Sequence, residues 1–176
     1  AHNNIYVNAA ITSEADDPLY VSLGAGNNIE INAEISGLKI LSLWRYGDYS
    51  DEIGEFGIID RDELLRQVDV NAPISADYVN IASLKTYINT PKITGTKEFN
   101  LQGDLILQQD FTIAGKQVMV GEGHTSSSSG NKFNYTIDNL STGTEGLTLM
   151  GSPTYPGFKL HQLNNFTQKN GSLVGL

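Results

Sequence analysis

The chain has no cysteine, which removes disulfides and thiolate metal sites from consideration. No apolar run approaches the roughly 18 residues that a membrane-spanning helix needs. The opening AHNNIYVNAA lacks the basic and long apolar regions of a signal peptide. Trp and Phe are few: one Trp and six Phe in 176 residues make a thin aromatic core for an isolated globule, and oligomerisation is a natural way to hide the remaining apolar surface. Positive charge is scarce as well, with 11 Lys and Arg against 20 Asp and Glu and a net charge of −9. Phosphate contacts need clustered Lys and Arg, so an acidic chain without a basic patch argues against nucleic acid as a partner.

What is present is Gly (18 residues) together with many Asn, Ser and Thr, the composition of a turn-rich β protein. Residues 1–44 read as short strands at Ile5-Tyr6-Val7, residues 19–23, residues 29–35 and residues 38–44, punctuated by Asp16-Asp17-Pro18, residues 24–28 and Ser36-Gly37. Ile29, Ile31, Ala33 and Ile35 alternate with Glu30, Asn32 and Glu34, which places the apolar set on one face of a strand. A spacing of this kind suits a sandwich, a meander or a stacked solenoid.

The acidic charge is concentrated. Residues 1–70 carry 13 acidic and 4 basic side chains, whereas residues 71–176 carry 7 of each. Asp48, Asp51, Glu52, Glu55, Asp60, Asp62 and Glu63 crowd one stretch, which invites a calcium reading because hard cations want several carboxylate oxygens. The spacing is not that of an EF-hand loop. Asp60 and Glu63 instead fit a capping box, with Leu64, Leu65 and Val68 as the buried stripe of a short helix. A second helix is expected from Ser75 to Asn89, with Tyr78, Ile81, Leu84, Tyr87 and Ile88 at helical spacing and Pro91 ending it.

Strands resume over residues 91–122, as a meander or as solenoid rungs. GEGHTSSSSG, residues 121–130, is low-complexity, and its part over 123–130 reads as a flexible linker. The expected organisation is therefore an acidic β module (1–70) ending in a short helix, a helix-plus-strand segment (71–122), the linker, and a Gly-rich β segment (131–176). Four N-x-S/T sequons, at Asn134, Asn139, Asn165 and Asn170, are no more than slightly above chance in so Asn- and Ser/Thr-rich a chain.

Ile93-Thr94-Gly95-Thr96-Lys97-Glu98-Phe99 resembles the ITGTKTF-type element of bacteriophage tail fibres and related receptor-binding proteins. Asp77-Tyr78-Val79-Asn80 stands where that family often has a YVD-like segment, and Gly103-Asp104-Leu105 and the strands after it stand where GDLTV-like strands follow. Glu98 replaces the usual Thr. The resemblance implies a homotrimeric, elongated virion appendage that contacts other virion proteins or a host-surface glycan or receptor.

No catalytic motif is present. The histidines His2, His124 and His161 lie far apart in sequence and outside HxH or HExxH patterns. The Ser run beside His124 lacks a nucleophile elbow. Trp44, Tyr46 and Tyr49 are the candidate glycan contacts, and Asp48, Asp51, Glu52 and Glu55 could supply the carboxylate pair of a polysaccharide depolymerase. The reading is thus a mainly β chain with one or two short helices, either a stacked β-helix-like shaft or a β-sandwich, completed by oligomerisation. Its expected role is non-catalytic, cofactor-free structural or receptor-binding work on a virion, with a secreted adhesin or pilus-type subunit as the alternative.

Overall fold

A computed structural model of the chain describes residues 1–14, 16, 19–45, 64–121, 123–140, 146–150 and 158–175. All pairings among its strands are parallel, and they join the strands into a single sheet that winds on itself. The first turn holds β1 (Asn4–Val7), β2 (Ile11–Thr12) and β3 (Tyr20–Ala25), one on each of three faces. The second holds β4 (Asn28–Ile31) and β5 (Ile35–Arg45), the latter bending from the second face onto the third. β6 (Gln67–Val70) returns to the first face. β7 (Ile74–Ile88) and β8 (Lys92–Leu107) each run across the second and third faces and on to the first face of the next turn. Then come β9 (Phe111–Ala114), β10 (Gln117–Gly121), β11 (Gly123–Ser127), β12 (Phe133–Asp138), β13 (Leu147–Met150), β14 (Phe158–His161), β15 (Leu163–Lys169) and β16 (Leu173–Gly175). Among the described residues seven coils stack in this way, each strand paired with the strand of the same face on the next coil.

The core follows from period-two patterning laid over this register. On the second face Ile11, Ile35, Ile74, Ile93, Ile113 and Ile137 stand directly above one another, all but Ile11 buried. On the third face Leu41, Val79, Phe99, Val118 and Leu147 make a second buried column. β-Branched side chains pack well on a pleated surface and resist other geometries. Each fully buried Val, Leu, Ile or Phe contributes about 1.5–3 kcal/mol of transfer free energy, so the columns supply the main driving force.

The corner between the first and second faces shows a repeat: Val7-Asn8-Ala9, Ile31-Asn32-Ala33, Val70-Asn71-Ala72 and Ile88-Asn89-Thr90. The apolar residue points inward and the Asn turns the chain. Asn71 Nδ2 donates to Asn32 Oδ1, and Asn32 Nδ2 donates to Asn8 Oδ1, both at 2.9 Å. The backbone amides of Asn32, Asn71, Asn89 and Gln108 each donate to the preceding coil's apolar residue at 2.8 Å. The amide ladder satisfies corner groups that a turn would otherwise leave open.

Several expectations are overturned. No helix occurs among the described residues. The segment expected to be helical from Ser75 to Asn89 is strand β7, and the supposed stripe of Leu64, Leu65 and Val68 ends in an isolated bridge at Leu65 and in β6. The periodicity misleads because β7 turns two corners. Its register shifts between Ala76 and Tyr78 and again between Ala82 and Lys85. Inward residues therefore fall at 74, 76, 79, 81, 86 and 88, a sequence of two-, three- and five-residue steps that also contains matches to a 3.6-residue repeat. Tyr78, Leu84 and Tyr87 are only partly buried, as outward residues should be. A β-sandwich is overturned too, since its sheets are antiparallel and every pairing here is parallel. The run expected to be a flexible linker at 123–130 contains β11, which pairs with β8 on one side and β14 on the other.

The inward column of the first face contains a polar intruder. Thr86 sits between Val68 and Leu105, fully buried, and its Oγ1 has no hydrogen-bond partner. Valine has the same shape without the hydroxyl. Thr86→Val is therefore expected to stabilise the fold by about 1 kcal/mol, read as a higher urea midpoint at unchanged slope.

Candidate functional site

Of the aromatic residues expected to contact a glycan, Trp44 lies at the outward end of β5 on the third face, half-buried. It stands in register with Gly24 of the coil before, and a Cβ at Gly24 would meet the indole Cζ2 at 3.0 Å. The missing side chain lets the indole lie against the strand, where Nε1 donates to Ser22 Oγ at 2.5 Å. Tyr46 and Tyr49 lie outside the described residues. So do Asp48, Asp51, Glu52 and Glu55, the candidate catalytic pair, and the rest of the 48–63 run considered for calcium.

A recess among the described residues lies elsewhere, at the corner between the second and third faces of the middle coils. Tyr78, Lys97, Glu98, Lys116 and Gln117 line a cleft of about 330 Å³. The solenoid brings them together by register: Tyr78, Glu98 and Gln117 succeed one another in an outward column across β7, β8 and β10. The Lys116 amide donates to the Thr96 carbonyl at 3.2 Å, which sets Lys116 on the coil after Lys97. Lys97 Nζ is 3.7 Å from Asp77 Oδ2 and 5.9 Å from the centre of the Tyr78 ring, so an ion pair and a cation–π contact together steer the ammonium. Both Lys97 and Asp77 remain well exposed, and the pair adds little stability.

Two residues farther along β7 and β8 from Tyr78 and Glu98 runs a ladder of buried amides. Asn100 Nδ2 donates to Asn80 Oδ1 at 2.8 Å, and Asn80 Nδ2 donates to Ser42 Oγ at 3.2 Å. Burial pushes the Glu98 carboxyl above the usual range, while a hydrogen bond to Asn100 pulls the other way. Gln117 Nε2 reaches Thr148 Oγ1 at 3.5 Å. Two ammonium groups, one carboxylate, one carboxamide and one phenol ring make a set suited to polar recognition. Glu98 is the carboxylate among its lining residues, and Asp77 stands beside it in the ion pair with Lys97.

Two other juxtapositions escaped the sequence. On the first face, Tyr6, Glu30, Asp69 and Tyr87 form one outward column, which places two carboxylates in adjacent strands. Gln67 Nε2 donates to both Asp69 oxygens at 3.0 Å. Partial burial pushes the Asp69 carboxyl up, the Gln67 bond opposes this, and repulsion from Glu30 adds to it. Farther along the same face the rings of His124 and His161 stack with centroids 4.9 Å apart, although they are far apart in sequence. Among the described residues no group of three His, Cys, Asp or Glu could hold a metal ion.

A carboxyl raised in the folded state contributes stability that is fully present below its unfolded value and lost as pH rises through the folded value. At neutral pH its ionised form is a cost. Asp69→Asn is expected to raise neutral-pH stability by about 0.5 kcal/mol, the screened scale of a half-exposed group, and to lose that advantage below about pH 4. Thermal melts of both proteins across pH 3–8 read this directly.

Comparisons of the chain with protein-family models, with curated proteins and with solved structures each return no match.

Proposed function

We propose that this chain is a structural and receptor-binding segment of an elongated virion appendage of the tail-fibre type, a homotrimer that presents the corner cleft to a host-surface glycan. The observation that carries this reading is the unbroken stack of coils. At about 4.8 Å per coil, seven coils make a rod about 30 Å tall. Its outward side chains are held at fixed intervals, the property a shaft or a repeating recognition surface needs. The ITGTKEF element supports it in physical terms. Ile93 and Phe99 are buried in two different faces, the chain turns the corner between them, and Lys97 and Glu98 are left outward beside the cleft.

Self-association would cover large apolar side chains that stand exposed, among them Tyr6, Leu19, Tyr20 and Leu140. Light scattering on the purified chain at micromolar concentration tests the reading. A particle three times the 19.1 kDa chain mass is the expected result. A monomer that persists on concentration would count against a trimeric appendage.

A further inference from the structure

The lysines of the cleft are conspicuous in a chain of net charge −9. Lys97 and Lys116 occupy successive coils at one corner, and both line the same recess. Lys97 is already steered by Asp77 and Tyr78. Lys116 is exposed, its side chain extending from a corner residue whose backbone is fixed to the coil below. An ammonium pair of this kind is a receptor for one small anion. It is too little charge for a polyanion such as nucleic acid, which needs many phosphate contacts.

The remaining walls restrict the anion further. Tyr78 offers a partly exposed ring face, the surface on which an apolar sugar face stacks. Glu98 and Gln117, one and two coils on, offer an acceptor and a donor to hydroxyl groups. The column from Tyr78 to Gln117 spans two coil spacings, about 10 Å. The volume of about 330 Å³ sits at the small end of ligand sites, enough for one or two sugar rings. Glu98 repels an anion from its own side of the recess, which leaves the lysine side for the charged group.

We propose that the cleft formed by Tyr78, Lys97, Glu98, Lys116 and Gln117 binds a carboxylate-bearing saccharide, such as a uronate or sialate unit. Lys116 receives the carboxylate, with Lys97 beside it held by Asp77, and the ring lies against Tyr78. This rests on the receptor-binding reading above and specifies its ligand class. The contacts are solvent-accessible, so affinity is modest and falls with added salt.

The test is titration of the intact chain with sialyllactose and with a glucuronate-containing disaccharide, against lactose and a short poly-glutamate peptide, followed by calorimetry or ligand-observed NMR. Binding of at least one acidic sugar, at least tenfold tighter than lactose, is expected. Lys116→Glu should remove that preference and Tyr78→Ala should weaken binding at least tenfold, with melting temperatures showing that both variants fold. Lys116→Ala serves as the milder variant if the charge reversal disturbs folding. Equal binding of lactose and the acidic sugars would overturn the acidic-ligand inference and leave glycan recognition standing. Poly-glutamate binding as tightly as the sugars would replace the saccharide by an acidic peptide and overturn it too. No binding of any sugar would overturn the inference together with the glycan-receptor reading, and the light-scattering result would still report separately on the shaft.

Discussion

Replacing Gly103 by alanine is expected to cost more than about 4 kcal/mol and to leave little folded protein, given total stabilities of about 5–15 kcal/mol. Gly103 turns the chain from the third face back to the first, with φ at +104°, a region that L side chains rarely enter. A Cβ there would lie 1.5 Å from the Ser83 carbonyl oxygen of the coil below. The obstacle is backbone, so no rotamer change relieves it, and separating the coils would break the neighbouring ladder between β7 and β8. Gly130 supplies the control. It has a similar positive φ of +79°, but a Cβ there meets nothing within 4 Å. Gly130→Ala should therefore cost only the conformational strain, about 1 kcal/mol. Soluble yield and urea melts of the two variants separate close approach from backbone conformation. Equal effects would mean that the coils do not stack as tightly at this corner.

Phe99→Ala is expected to destabilise the chain by about 3–5 kcal/mol, the cost of losing a fully buried aromatic and leaving a cavity. Phe99 is 1% exposed and fills the third-face column between Val79 and Val118, two smaller side chains unable to close the gap. Ile113→Val, in the second-face column, removes only a methylene and should cost about 0.5–1.5 kcal/mol. The ratio of the two, measured by denaturant unfolding, tests whether the Phe of the ITGTKEF element works chiefly as a packing residue. A Phe99→Ala cost below about 1 kcal/mol would place it outside the core.

The strands were legible wherever one face of the solenoid runs without a corner. The alternation from Ile29 to Ile35 gave the inward positions at Ile29, Ile31 and Ile35 directly, and all three are buried. Reading failed where a long strand passes a corner, because a bulge changes the parity of the inward residues. β7 is the clearest case: Val79 and Ile81 point inward out of phase with Ile74 and Ala76, and Thr86 and Ile88 return to the first phase after the second shift. The Val-Asn-Ala and Ile-Asn-Ala corners at Asn8, Asn32 and Asn71 were a repeat open to inspection. Their intervals are unequal because the chain between Arg45 and Leu64 lengthens one coil, and an uneven period hides a repeat from a fixed-period search.

The site was less legible than the fold. Helical spacing places Tyr78 in a buried stripe, whereas it is an outward residue of the cleft. Lys97 and Lys116 meet only because successive coils place equivalent corner residues together. The same holds for Glu30 with Asp69 and for His124 with His161. Register, unlike local periodicity, depends on the length of every intervening turn, so pairs of this kind emerge only once the coils have been counted.

The central claim is that residues about one coil apart lie side by side on the same face. The absence of native cysteine makes a clean test possible. Ser75 and Thr94 are register partners on the outward side of the second face, about 5 Å apart across β7 and β8. A double variant with Ser75→Cys and Thr94→Cys, treated with a short thiol-bridging reagent, should cross-link within one chain under native conditions. Ser75→Cys combined with Ile106→Cys, on a different face, should not. Failure of the first pair to link, or equal linking of the second, would contradict the stacked parallel solenoid.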